Sequence, residues 1–173
     1  MQTYRQLFYR LIKNIKIELD DEFDRNFERK AFFTTAWPPA KHDTIGSLMM
    51  RTAALRKSIR SDIMGSSIRW QSSLPYASIH NEGGKITVTP KMKGFFWYRF
   101  RMATGGNNKN LNPEALFWKS MALKPVGSVV TIPKRQFIGD HPIVDRSVRE
   151  VTNEWVNKDL KAFIDTQLTN MIK

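Results

Sequence analysis

The chain has 173 residues, no cysteine and a formal net charge of +12. Disulfides, thiolate metal sites and cysteine nucleophiles are therefore excluded, and three scattered histidines, His42, His80 and His141, are too few for a histidine-based metal cage. With 41% hydrophobic and 12% aromatic residues, the chain has the composition of a folded domain. Its positive charge would attract nucleic acid or an acidic partner, or simply form a solvated surface.

The first element is a long helix over roughly 3–31. Phe8, Ile12, Ile15, Leu19, Phe23 and Phe27 fall on one face at spacings of three and four, and the other face is charged. Charge interleaved through its apolar positions leaves no continuous signal-peptide core, so synthesis in the cytoplasm is expected. No apolar run reaches the length of a membrane span. Five of the sixteen acids lie between Glu18 and Asp24, a run that reads first as solvated surface.

WPPAKH, 37–42, ends helical structure, because consecutive prolines cannot continue it. A second helix is predicted over about 44–56, with Asp43 or Thr44 as its cap and Leu48, Thr52, Leu55 and Ile59 on one face. The period then changes to two. Ile59, Ser61 and Ile63, followed after Gly65–Ser66 by Ile68 and Trp70, predict a β-hairpin with a tight turn.

Further strands are predicted at KITVT, 85–89, stopped by Pro90, and at GSVVTI, 127–132, stopped by Pro133. Between them lies an insertion of about 90–125. It contains FFWYRF (95–100), the loop GGNNKN (105–110) and a helix over 113–124 that starts at Pro113. The last segment, about 142–172, carries Val148, Val151, Trp155, Phe163 and Met171 in helical rhythm. The expected fold is one α+β domain over 1–173, in which long terminal helices flank a small, mainly antiparallel β-sheet. Its parts are a helical region 1–57, a sheet region 58–140 and the C-terminal helix.

YASIHNEGG, 76–84, poses a choice between an acid–base site and architecture. Pro75 suits the first turn of a short helix, Tyr76, Ile79 and His80 share a face, and Gly83 suits a cap that needs positive φ. His80 falls in the last turn, where the helix dipole favours a protonated imidazole. Glu82, two residues on, points elsewhere and cannot orient it. The motif therefore reads as architecture, with Tyr76 and His80 locking helix to sheet.

FFWYRF puts five aromatics in six positions. A fully buried element, a subunit interface and a base-stacking surface each fit, with Phe95, Phe96, Trp97 and Tyr98 as the candidate interface residues. GGNNKN is either a tolerated loop or a segment ordered by a neighbouring subunit. IPKRQFIG, 132–139, reads as a structural corner, with Arg135 reaching a carboxylate or carbonyl cluster; the sharper alternative is an inter-subunit contact by Arg135.

Three stretches in order carry a resemblance. Thr52, Leu55, Arg56, Ser58 and Ile59, then Tyr76, Ala77, His80, Gly83 and Gly84, then Ile132, Pro133, Arg135, Phe137 and Gly139 fit T-G-x-L-R-x-S-I, Y-A-x-x-H-x-x-G-G and I-P-x-R-x-F-x-G. This arrangement resembles the tail-completion, or virion-morphogenesis, proteins of tailed bacteriophages. It departs from them at Ala53, where glycine is usual, at Asn81–Glu82, and at Gln136, where proline is common.

The resemblance implies a non-enzymatic protein of the head–tail neck, made in the host cytoplasm. It implies self-association into a homo-oligomeric ring, a hexamer being one option, and docking to head-connector and tail-tube or tail-terminator proteins. DNA in a channel is a further candidate contact. No catalytic residue, cofactor, metal or membrane association is expected. The competing reading is a basic nucleic-acid-binding protein, although no helix-turn-helix, zinc-ligand or aromatic RNA-binding pattern is present. A small hydrolase would need a nucleophile elbow or paired carboxylates that the sequence lacks.

Overall fold

The computed structural model describes residues 3–40, 48–50, 52–106 and 111–172. Helix α1, Tyr4–Arg29, is the spine, about 39 Å long at 1.5 Å per residue. Thr3 and Gln6 form a reciprocal capping box at its start, and Lys30 adopts the left-handed conformation at its end. The chain then turns back through a short hairpin, β1 (Ala31–Phe32) and β2 (Thr35–Ala36). Two-residue strands are too short to show an alternating pattern, so this hairpin was not legible as one.

The buried stripe of α1 runs through Leu7, Leu11, Ile15, Leu19 and Phe23. Towards its N-terminus the stripe is wider than expected: Leu7 and Leu11 are buried beside the expected Ile12, while Phe8 is only half-buried. At 3.6 residues per turn, adjacent apolar positions border the same face, and packing decides between them.

Residues 41–47, which include the expected cap of the second helix, lie outside the described residues. The helix itself is corrected: 48–50 are not helical, and among the described residues of this stretch only Ala54–Ser58 forms a helix, α2. The break has a local cause, since Ala53 sits at φ +53°, ψ +11°, which a continuous right-handed helix cannot contain.

Strands β3 (Ile59–Met64) and β4 (Ser67–Ser72) pair antiparallel in the expected hairpin, with Gly65 at φ +66° in its two-residue loop. Helix α3 spans Ala77–Glu82. Strand β5, Gly84–Thr87, pairs antiparallel with β6, Val129–Ile132, so that Gly84 opposes Ile132. The fold is α+β, yet among the described residues its strands form three separate two-stranded ribbons. The first two pack on α1, where a single flanked sheet was expected.

Between β5 and β6 stand α4, Pro90–Ala103, and α5, Pro113–Leu123. Each begins with proline after a side-chain cap, Thr89 bonding the Met92 N–H and Asn112 the Ala115 N–H. Pro90 thus starts a helix as well as ending a strand. The two helices share a core of Phe96, Phe100, Ala115, Trp118 and Ala122. The Asn112 amide ties their connection by donating to the Ala103 carbonyl at 2.8 Å.

The C-terminal helix is interrupted. Helix α6, Pro142–Trp155, passes through a π-helical turn, Val156–Leu160, into α7, Lys161–Ile172. It runs back along α1: Phe33 stacks on His141 near one end, and Arg10 pairs with Asp159 near the other. Ile143, Val144, Val148 and Val151 lie on the α1 stripe, with Trp155 buried among them. The π turn inserts a residue and resets the phase of the apolar stripe. Phe163 still reaches the core, but no residue of α7 is buried.

Candidate functional site

The three sequence motifs meet at one junction. Residues 133–137 have no regular secondary structure, so their backbone groups need partners from elsewhere. Side chains supply them. The Asn81 oxygen accepts the N–H groups of Phe137 (2.9 Å) and Ile138 (3.1 Å), and its amide donates to the Ile138 carbonyl at 3.1 Å. Asn26 of α1, fully buried, donates to the Phe137 carbonyl and accepts the Phe33 N–H. The Trp37 indole donates to the Gln136 carbonyl at 2.6 Å.

Arg135 is turned inward, 8% exposed, and donates to the carbonyls of Pro38 (3.0 Å) and Pro39 (3.1 Å). Its own N–H bonds the His80 carbonyl at 2.8 Å. Burial lowers the pKa of its guanidinium. The carbonyl cluster expected for Arg135 is therefore in its own chain, and the WPP turn is what it holds. Beneath these bonds, Phe27, Trp37, Leu55, Ala77 and Phe137 form a small core, with Phe27 against both Trp37 and Phe137.

Arg56 binds the other face of α1. Its guanidinium grips the Asp24 carboxylate with two N–H groups and also reaches Glu28 at 2.7 Å. Those hydrogen bonds, Asp24's first and Glu28's second, raise its pKa. One turn earlier, Asp20 accepts from the Trp70 indole and from the Ser61 hydroxyl, both at 2.7 Å, and from Lys16 at 2.8 Å. The acidic run expected to be solvent-facing thus pins α2 and the β3–β4 hairpin to the spine. Asp20, Asp24 and Glu28 recur every fourth residue, a spacing that shows them to share a face. Sequence alone does not show what they face.

The remaining motif residues are structural. The Ser58 hydroxyl bonds the Leu55 carbonyl and the Ser72 hydroxyl, both at 2.7 Å. Pro133 follows the last paired residue of β6. Gly84 lies against Ile79, and Gly139, at φ +143°, against the Gln136 side chain. Tyr76 is exposed and meets His80 edge-on, so the locking assigned to it falls instead to Asn81 and Arg135.

His80 also differs from expectation. Burial, and then the neighbouring Arg135 charge, push its pKa down, and its Nδ1 is buried with no partner among the described residues. The helix dipole that would favour a cation is outweighed. Among the described residues, no group of three His, Asp or Glu is placed to hold a metal ion.

FFWYRF is helical and only partly buried. Phe96 and Phe100 enter the α4–α5 core, where Phe96 stacks on Trp118. Phe95, Tyr98 and Met102 are 52%, 53% and 63% exposed along one stripe of α4, and Trp97 is exposed beside them. The fully buried reading is thereby corrected, because six consecutive helical positions cannot all face one partner helix. Residues 107–110 of the GGNNKN loop lie outside the described residues.

The profile of the phage virion morphogenesis family matches residues 6–157. The chain belongs to that family. The match spans α1, all three motifs, the α4–α5 insertion and α6, and stops within the π turn. Comparison with curated proteins and with solved structures found no match. As a virion morphogenesis protein, the chain has a structural or assembly role in a bacteriophage and is virion-associated, made in the host. The junction accounts for the family pattern in physical terms. Its glycines sit at positive φ or at close contacts, Arg135, Leu55 and Phe137 anchor the irregular 133–139 segment, and Arg56 ties α2 to α1.

Proposed function

We propose that this protein completes the phage tail and joins it to the head, by self-association and docking to neighbouring neck proteins, with no bond made or broken. Family membership gives the setting, and helix α7 carries the reading. Ile164, Leu168, Met171 and Ile172 are exposed, the last two at 83% and 86%, and no residue of α7 is buried. An amphipathic helix with an uncovered apolar face gains by packing on another surface. Repeated around an axis, such a heterologous contact closes a ring. The α1 stripe, by contrast, is already covered by α6 and the hairpins, so the subunit surface is assigned to α7.

The test is reconstitution. Heads and tails from cells lacking the protein are mixed with and without the purified chain, and infective particles are counted. The proposal expects joining to depend on the added protein and to need no nucleotide or metal. Equal joining without it would overturn the assignment to head–tail assembly.

A further inference from the structure

Between Gly83 and Ile138 the chain carries ten lysines and arginines and a single acid, Glu114. Without Lys134 and the buried Arg135, which follow β6, the part from β5 to β6 with the α4–α5 hairpin holds eight cations against that one acid, seven of the twelve excess positive charges. Glu114 does not offset them at the surface. It is half-buried, accepting from Arg99 at 3.0 Å and from the Trp118 indole at 3.1 Å. The hairpin's exposed face thus has cations and no exposed anion among the described residues, with Lys91, Arg101 and the rings of Trp97 and Tyr98 interleaved on α4.

A second observation falls on the same face. Gly94 sits in the middle of α4, and a Cβ built there would meet nothing within 4 Å. Glycine weakens a helix interior, and here no neighbour among the described residues requires it. On the helix its neighbours one turn away are Lys91, Trp97 and Tyr98, so its missing side chain leaves a notch where another backbone can approach closely.

We propose that this face of α4 binds the phosphate backbone of double-stranded DNA, with the notch at Gly94 admitting a strand between Lys91, Trp97 and Tyr98. Duplex is favoured over single strand because the exposed rings lie on a convex helix and cannot enclose a base. Trp118, which could stack one, is already occupied by Phe96 on one side and by the Arg99 guanidinium, 5.0 Å from its centroid. A helix of this kind fits the width of the major groove, and Tyr hydroxyl, Trp N–H and Lys or Arg donors all suit phosphate oxygens. The site is independent of ring formation and is testable on the isolated chain.

The experiment measures binding of a labelled 20-base-pair duplex by fluorescence anisotropy over a range of salt. Three proteins are compared: the natural chain, the triple variant Lys91→Glu, Lys93→Glu, Arg101→Glu, and a control of equal net charge, Arg5→Glu, Lys13→Glu, Lys57→Glu. The proposal expects the control to bind like the natural chain. For the hairpin variant, the slope of log affinity against log salt should become shallower by about two to three units, at about 0.9 for each phosphate no longer neutralised. Equal weakening in both variants would show that net charge alone acts and would overturn the site.

Gly94→Leu keeps the charge and strengthens the helix. It should weaken duplex binding about tenfold with no fall in melting temperature, and unchanged affinity would contradict the notch. Polyglutamate or the matching single strand competing as well as unlabelled duplex would overturn the duplex site and assign the face to an acidic protein or to single strands instead.

Discussion

Gly83 lies directly against the backbone of Lys134: a Cβ at position 83 would come within 2.8 Å of the Lys134 nitrogen. Gly83 also has φ +74°, closed to most L-residues without strain. Both constraints arise because α3 must hand over to β5 while the 133–139 segment passes beside it. Gly83→Ala combines backbone strain with a clash against atoms that cannot swing away. It should cost about 2–3 kcal/mol by denaturant unfolding, whereas Gly105→Ala, with positive φ but open space, should cost less.

Ala53 presents the opposite case. Its left-handed conformation places an L-residue where the resembling pattern has glycine, at the entry to α2. Ala53→Gly relieves the strain and gives back part of it as unfolded-chain entropy. A net gain of about 0.5–1 kcal/mol is expected, read as a rise in denaturation midpoint with unchanged slope.

Asn26 is a third lever. Its two amide ends satisfy the Phe33 N–H and the Phe137 carbonyl in a fully buried setting. Asn26→Leu leaves both unpaired and should destabilise by about 2–4 kcal/mol. Arg135→Ala acts at the same junction and should lower monomer stability, because its contacts are to Pro38 and Pro39 of its own chain.

His80 predicts a pH dependence. Its folded pKa lies below the ordinary value of 6.5, so the unfolded chain takes up a proton first as pH falls. Its contribution is complete above that value and declines as pH drops through it towards the folded value. Melting temperature should therefore fall between pH 7.5 and 5, and fall less in His80→Gln. Parallel curves for the two proteins would contradict the neutral, buried imidazole.

Much of this fold was readable because periodicity reports burial. The long α1 stripe, the β3–β4 alternation and the prolines at the starts of α4 and α5 each carry a local signal. The failures share a cause. Asp20, Asp24 and Glu28 look like any solvated acidic run until Arg56 and Trp70 arrive from 28 or more positions away. Asn26 and Asn81 are single polar residues whose partners are backbone groups of a distant irregular segment. The left-handed Ala53, which keeps α2 from extending towards the N-terminus, violates its own propensity and could be suspected only from the glycine usual there.

The α7 stripe offers the most direct test of the account, through the mass of the purified chain in solution. At micromolar concentration the natural protein should be a closed oligomer of defined mass. Leu168→Glu with Met171→Glu should be a monomer with unchanged melting behaviour, since neither side chain is buried in the subunit. A natural protein that stays monomeric, or a double variant with the same oligomeric mass, would contradict association through α7.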